Sequence, residues 1–216
     1  MKNNFLVTRP DHDLTTNYLH YFAGLVIKTA IKKGTTVIDL KGKRANKKEF
    51  VSIVRETQPA LIFLNGHGNS RAVGGYNDEA LVRSHENEIL LRGRIVYALS
   101  CCSARDLGKN CVRTGTKAYL GYDDDFIFLF EENKVTQPLD DQTARMFLEP
   151  SNLIITSLLK GQTPSTSWGR SQEAFRKNIR KFLTSESPKE EKELIPYIMW
   201  DLNHQVCLGD KECKFS

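Results

Sequence analysis

Two stretches of the chain carry side chains able to do covalent chemistry, and each follows a short apolar run. In the first, Leu61-Ile62-Phe63-Leu64 leads through Asn65 to His67, which has Gly66 and Gly68 on either side. In the second, Ile95-Val96-Tyr97-Ala98-Leu99 leads through Ser100 to the adjacent Cys101 and Cys102. A free cysteine is mostly protonated at neutral pH. An imidazole that accepts its proton, or stabilises its anion, turns it into a nucleophile and can later protonate a leaving amine. Glycine beside the histidine lets a substrate backbone approach closely. The Gly68 amide, with that of Cys101, is then a candidate donor to a developing oxyanion.

The two side chains meet only if their strands are neighbours. In an open α/β sheet the carboxyl ends of adjacent strands face one crevice, and the surrounding pattern fits that arrangement. Phe5-Leu6-Val7 reads as a strand. The stretch 13–16 offers N-caps for a helix carrying Tyr18, Leu19, Phe22, Leu25, Val26 and Ala30, closed by Gly34. A β-branched strand over 35–40 precedes an Asn46-capped helix with Phe50, Ile53 and Val54 on one face, ending at Pro59. The runs 60–64, 94–99 and 117–122 read as strands buried on both faces, with 104–113 crossing back as a helix between the last two. Segments 140–148, 151–160 and 168–183 have helical spacing, and the polar run 185–193 reads as an exposed loop or helix start. The expectation is one α/β domain over residues 1–216, with a mainly parallel sheet flanked by helices.

Composition narrows the function classes. The 216 residues are 40% hydrophobic and 26% charged, enough for a buried core. Five cysteines, an odd number in a chain of this size, argue against a disulfide framework. No apolar run approaches the roughly 20 residues of a membrane span, and residues 1–9 lack the apolar core of a signal peptide. A cytoplasmic protein without membrane contact is expected. The net charge of +5 is unevenly spread: residues 1–60 hold eleven Lys/Arg against five Asp/Glu, and residues 121–150 hold eight Asp/Glu against two Lys/Arg. No aromatic or glycine recognition motif accompanies the basic half, so nucleic acid is not the expected partner. A dinucleotide fingerprint would need glycine where Arg71 stands. His204, Cys207 and Cys213 lack the spacing of a zinc site and are read as structural. His12, His20 and His85 receive no role, and Trp168 and Trp200 are read as core.

His67-Gly68 after one hydrophobic strand, followed 34 residues later by Cys101 after the next, resembles the caspase-like clan of cysteine peptidases, which includes caspases, gingipains, clostripain, separase and the bacterial CHAT domains. Leu99-Ser100-Cys101-Cys102-Ser103-Ala104 followed by Leu107-Gly108 looks most like the CHAT and gingipain-like branch. The resemblance implies a caspase-like fold and peptide hydrolysis by a Cys/His dyad, with no metal or organic cofactor required. A Cys-x-Ser/Thr-Ala/Gly register selects Cys101 as nucleophile, whereas a register with a small residue before the cysteine selects Cys102. Adjacent side chains on a strand point to opposite faces, so only one can face His67. The reading takes Cys101.

Members that cut after arginine or lysine hold the basic side chain in an acidic pocket. Here Asp123, then Asp124 or Asp125, are the candidates, because they leave the next strand at the same edge. Some relatives depend on calcium, which the acidic run 123–125 leaves open. Bacterial relatives act in defence or cell-death systems on a dedicated protein partner, so a protein substrate is implied. The chain lacks the Gln-Ala-Cys-x-Gly signature of caspases, so aspartate specificity is not implied. The alternative from another class is a catalytically inactive caspase-like scaffold that binds a partner.

Overall fold

The computed structural model describes residues 4–184 and 187–215. Its centre is a six-stranded sheet in the order β2-β1-β3-β7-β8-β9, where β1 is Asn4–Arg9, β2 Thr36–Lys41, β3 Leu61–Asn65, β7 Ile95–Leu99, β8 Ala118–Tyr122 and β9 Gln205–Gly209. The first five are parallel and β9 closes the edge antiparallel to β8. β1, β3, β7 and β8 are buried at every position, as expected of strands covered on both faces.

Side-chain alternation sorts the core into two layers. Leu61, Phe63, Ile95, Tyr97, Leu99, Leu120 and Tyr122 pack against α1 (Leu14–Lys32) and α4 (Gln142–Leu159). Ile62, Leu64, Val96, Ala98 and Tyr119 pack against α2 (Lys47–Thr57) and α3 (Leu107–Arg113). The aromatic rings of Phe63 and Tyr97, in register on neighbouring strands, stack at 5.1 Å, and each such buried ring contributes about 2–3 kcal/mol by leaving water.

α1 follows β1 on one face and α2 precedes β3 on the other, so the chain reverses its winding between β1 and β3. That is where an open sheet forms its crevice. Four adjacent strands therefore empty onto one edge: β1 into His12 and Asp13, β3 into His67, β7 into Cys101 and Cys102, and β8 into Asp123.

Three features depart from the sequence reading. Residues 68–83, between β3 and β7, form a small antiparallel sheet of β4 (Gly68–Asn69), β5 (Ala72–Gly74) and β6 (Ala80–Arg83), too short for alternation to reveal. The expected helices 140–148 and 151–160 are one helix, α4, running through Pro150. A proline there removes the hydrogen bond to the Met146 carbonyl, and Asn178 Nδ2 of α5 (Pro164–Phe182) donates to that carbonyl at 2.9 Å instead. Finally, the polar run itself carries a short helix, α6 (Lys189–Lys192), and the residues after it form α7 (Ile195–His204), which the sequence reading did not foresee. Within the polar run, Ser185 and Glu186 lie outside the described residues. No helix among the described residues is long and apolar enough to cross a membrane.

Candidate active site

Gly66 makes the turn that sends β3 into the site. Its φ of 146° brings it so close to the Gly74 carbonyl that any side chain would collide. Gly68 is equally constrained: a Cβ would run into Ser100 Oγ and stand 3.1 Å from the Cys101 carbonyl. The segment bearing His67 thus lies directly against the segment bearing Cys101. His67 O accepts from Gly74 N at 2.8 Å, which makes Gly68 and Val73 a non-hydrogen-bonded pair. The Gly68 N–H is consequently not spent on β5.

His67 is held from a third strand. Its Nε2 lies 2.5 Å from Oδ2 of Asp13, the N-cap of α1, which leaves Nδ1 as the nitrogen free to work. Asp13 also accepts from Thr16 N at 2.7 Å. Burial pushes its pKa up, but the bonds from Thr16 and the contact with His67 outweigh that and hold the carboxyl below its usual range. Sequence reasoning saw Asp13 only as a cap, because its second partner is 54 residues away.

The two cysteines diverge. Continuing the alternation of Tyr97 and Leu99, Cys101 turns to the α1/α4 face, where its Sγ donates to the Phe126 carbonyl at 3.8 Å. Cys102 has left-handed backbone (φ 56°), its N–H is spent on the Asp124 carbonyl, and its Sγ donates to Asp125 Oδ1 at 3.2 Å. Neither sulfur has His67 as a hydrogen-bond partner among the described residues. Both thiols are raised above their ordinary pKa, chiefly by burial and secondarily by carboxylates. Cys101 is affected by Asp125 and Asp201, and Cys102, beside Asp125, is pushed up to about 12.

The acidic residues following β8 are pinned by α7. Asp123 Oδ1 meets His204 Nδ1 at 2.9 Å, Trp200 Nε1 donates to the Asp125 carbonyl at 2.9 Å, and Ile127 N donates to Asp201 Oδ1 at 2.9 Å. Asp124 is bridged to Arg105 at 2.7 Å. The three candidate specificity carboxylates therefore do not all converge: Asp123 faces α7, Asp124 bridges Arg105 with one oxygen and stands 4.0 Å from the Cys102 sulfur with the other, and Asp125 lies closest to that thiol. Cys102, Asp124 and Asp125 offer ligand atoms within 4.8 Å of one another, and Asp123 is not in that group. Trp200, read as core, is part-exposed and braces this loop. His204, read beside two cysteines, is instead the partner of Asp123.

Asp201 was not singled out from the sequence. It is fully buried, its Oδ2 has no hydrogen-bond partner among the described residues, and burial drives its pKa well above the usual carboxyl value despite the bond from Ile127. No signal in the flanking Trp200-Asp201-Leu202 distinguishes it from a solvated helix position.

The arrangement holds an oriented imidazole, a half-buried thiol on the neighbouring strand end and a backbone N–H not spent on β5, all at one sheet edge. No family model matches the sequence, and a search of curated proteins finds no relative.

Proposed function

We propose that the protein is a cysteine endopeptidase of the caspase-like fold that cleaves a protein partner after a basic residue. Cys101 attacks the scissile carbonyl, and its sulfur forms the acyl-enzyme bond as the C–N bond breaks. His67, through Nδ1, takes the thiol proton and gives it to the leaving amine, then activates the water that releases the acid. Asp13 orients the imidazole from the opposite nitrogen, and the Gly68 and Cys101 amides receive the oxyanion. The observation that carries this reading is the packing of Gly68 on Cys101, with His67 tied to Asp13: base, nucleophile and donor come from successive strands of one sheet. Cys101 is preferred over Cys102 because it turns to the face that α1, and with it Asp13, covers, and because the Cys102 amide is already engaged. Of the acidic residues, Asp125 stands nearest the thiols and is assigned to the charge of the P1 side chain, with Asp123 held by His204. Action in a bacterial defence or cell-death system rests on the resemblance alone.

A second reading has its own support. Burial favours the protonated form of both thiols, and neither has the imidazole as a hydrogen-bond partner among the described residues, as in a caspase-like scaffold that binds a partner without cutting it. A fluorogenic peptide panel scanning P1, run on wild type, Cys101→Ala, Cys102→Ala and His67→Ala, separates the two. The peptidase reading expects turnover after Arg or Lys that is lost in Cys101→Ala and His67→Ala, by about 10⁴-fold or more, and kept in Cys102→Ala. Turnover lost only in Cys102→Ala overturns the register. Preference for Asp or Leu overturns the acidic pocket, and no turnover on any peptide favours the scaffold.

A further inference from the structure

The crevice between β1 and β3 gathers more donors than hydrolysis uses. His12 Nε2 lies 3.3 Å from Asp78 Oδ1 and 3.7 Å from Asp13 Oδ2, and that same Asp13 oxygen is 2.5 Å from His67 Nε2. One ligand atom each from His12, His67 and Asp78 falls within 4.8 Å of the others. The donors arrive on three separate loops: after β1, after β3, and between β5 and β6, where Asn77 and Asp78 both have left-handed backbone (φ 53° and 59°). The His12 side chain is only 10% exposed, its Nδ1 is buried with no hydrogen-bond partner among the described residues, and the Tyr76 ring packs edge-on at 5.4 Å to fix its plane. An imidazole buried this deeply, satisfied only through a nitrogen that points at two carboxylates and a second imidazole, is an incomplete polar cluster.

Four ligands around a tetrahedral ion with bonds near 2.1 Å lie about 3.4 Å apart; Asp13 Oδ2 stands 3.7 Å from His12 Nε2, and the ligand atoms of His12, His67 and Asp78 lie within 4.8 Å of one another. Two imidazoles with two carboxylates suit zinc and its neighbours. Calcium and magnesium take oxygen-only sets with higher coordination numbers. We propose that His12, His67, Asp13 and Asp78 form a binding site for a divalent transition metal of the zinc class, and that filling it switches the enzyme off. The ion takes Nε2 of His67 and displaces the Asp13 contact. A metal-bound Nε2 requires the ring's one proton on Nδ1, and Nδ1 then has no lone pair for the Cys101 proton. The metal-site part stands on geometry alone, whereas the inhibition rests on the peptidase reading.

The test uses Co²⁺ as the spectroscopic probe, titrated into the full chain. The site predicts visible d–d bands without a thiolate charge-transfer band. It also predicts binding at least about 10-fold weaker in Asp78→Asn, whose side chain is exposed, and in His12→Ala, with circular dichroism unchanged. Absence of d–d bands, affinity unchanged in Asp78→Asn, or a thiolate band that disappears in Cys102→Ser overturns the site. On the peptide substrate, Zn²⁺ then inhibits wild type but not Asp78→Asn, which keeps its metal-free activity. Equal inhibition of both overturns the switch. If wild type is inactive without metal, the peptidase reading falls while the Co²⁺ titration still decides the site.

Discussion

The two halves of the crevice are built on opposite principles. On the imidazole side everything is fixed and exposed to use. Gly66 and Gly68 leave no room for side chains, Asp13 holds the ring from one nitrogen, and His67 is part-exposed. On the thiol side everything is masked. Burial raises both cysteines, Asp125 sits 3.2 Å from one sulfur, and α7 pins the acidic segment in place through His204, Trp200 and Asp201. On the proposed peptidase reading, an oriented base beside a masked nucleophile places activation on the thiol side. A substrate or partner that draws the acidic segment away lowers the cost of forming the thiolate, and a basic P1 side chain neutralising Asp125 would do so directly.

This contrast can be broken from either side. On the imidazole side, Asp13→Asn keeps an oxygen to cap α1 but loses the charge that orients His67. Turnover is expected to fall about 100-fold with the melting temperature nearly unchanged, and an unaltered rate would mean Asp13 only caps. On the thiol side the effect runs the other way. Asp125→Asn removes a raising influence common to both cysteines, so iodoacetamide labelling at pH 7.5 should quicken by about three-fold for a ten-fold gain in thiolate, the rest being offset by its weaker nucleophilicity. Unchanged labelling would leave burial as the sole mask.

The smallest expected effect concerns the support beneath both. Asp201 has a folded-state pKa raised above its unfolded value, so the folded chain keeps a proton that the unfolded chain releases. Its contribution is least unfavourable below about pH 4. As pH rises toward the folded pKa, stability is lost at up to about 1.4 kcal/mol per unit. Asp201→Asn retains the acceptor for Ile127 and escapes that loss. Its melting temperature should exceed that of wild type by a margin that widens from pH 4 to pH 7, and a constant margin would show that Asp201 is paired after all.

Much of this scaffold was legible in the residues. The apolar runs at 60–64, 94–99 and 117–122 gave the parallel strands, because a strand covered on both faces has no polar positions to blur it. Asp13 and Asn46 were recognisable as caps because capping is local. What stayed hidden depends on contacts across the chain. Pro150 breaks a helix in isolation and is tolerated only because Asn178 reaches its orphaned carbonyl. The small sheet over residues 68–83 has strands of two to four residues, shorter than any period can register. In the candidate site, His67 and the cysteines could be placed at one sheet edge because strand ends advertise them. His12, Asp78 and Asp201 were not, since a histidine or aspartate acquires a role only from partners dozens of residues away. The acidic run was placed at the correct edge, but the direction of each carboxylate is set by α7 and Arg105, which no local pattern announces.

The central claim is that Cys101 is the sulfur His67 serves. It is tested most directly by incubating wild type with an arginyl chloromethyl ketone peptide and mapping the adduct by mass spectrometry, with His67→Ala in parallel. The account predicts modification of Cys101 in wild type, and labelling of that residue at least about 100-fold slower in His67→Ala. An adduct on Cys102, or equal labelling of Cys101 with and without the imidazole, would contradict it.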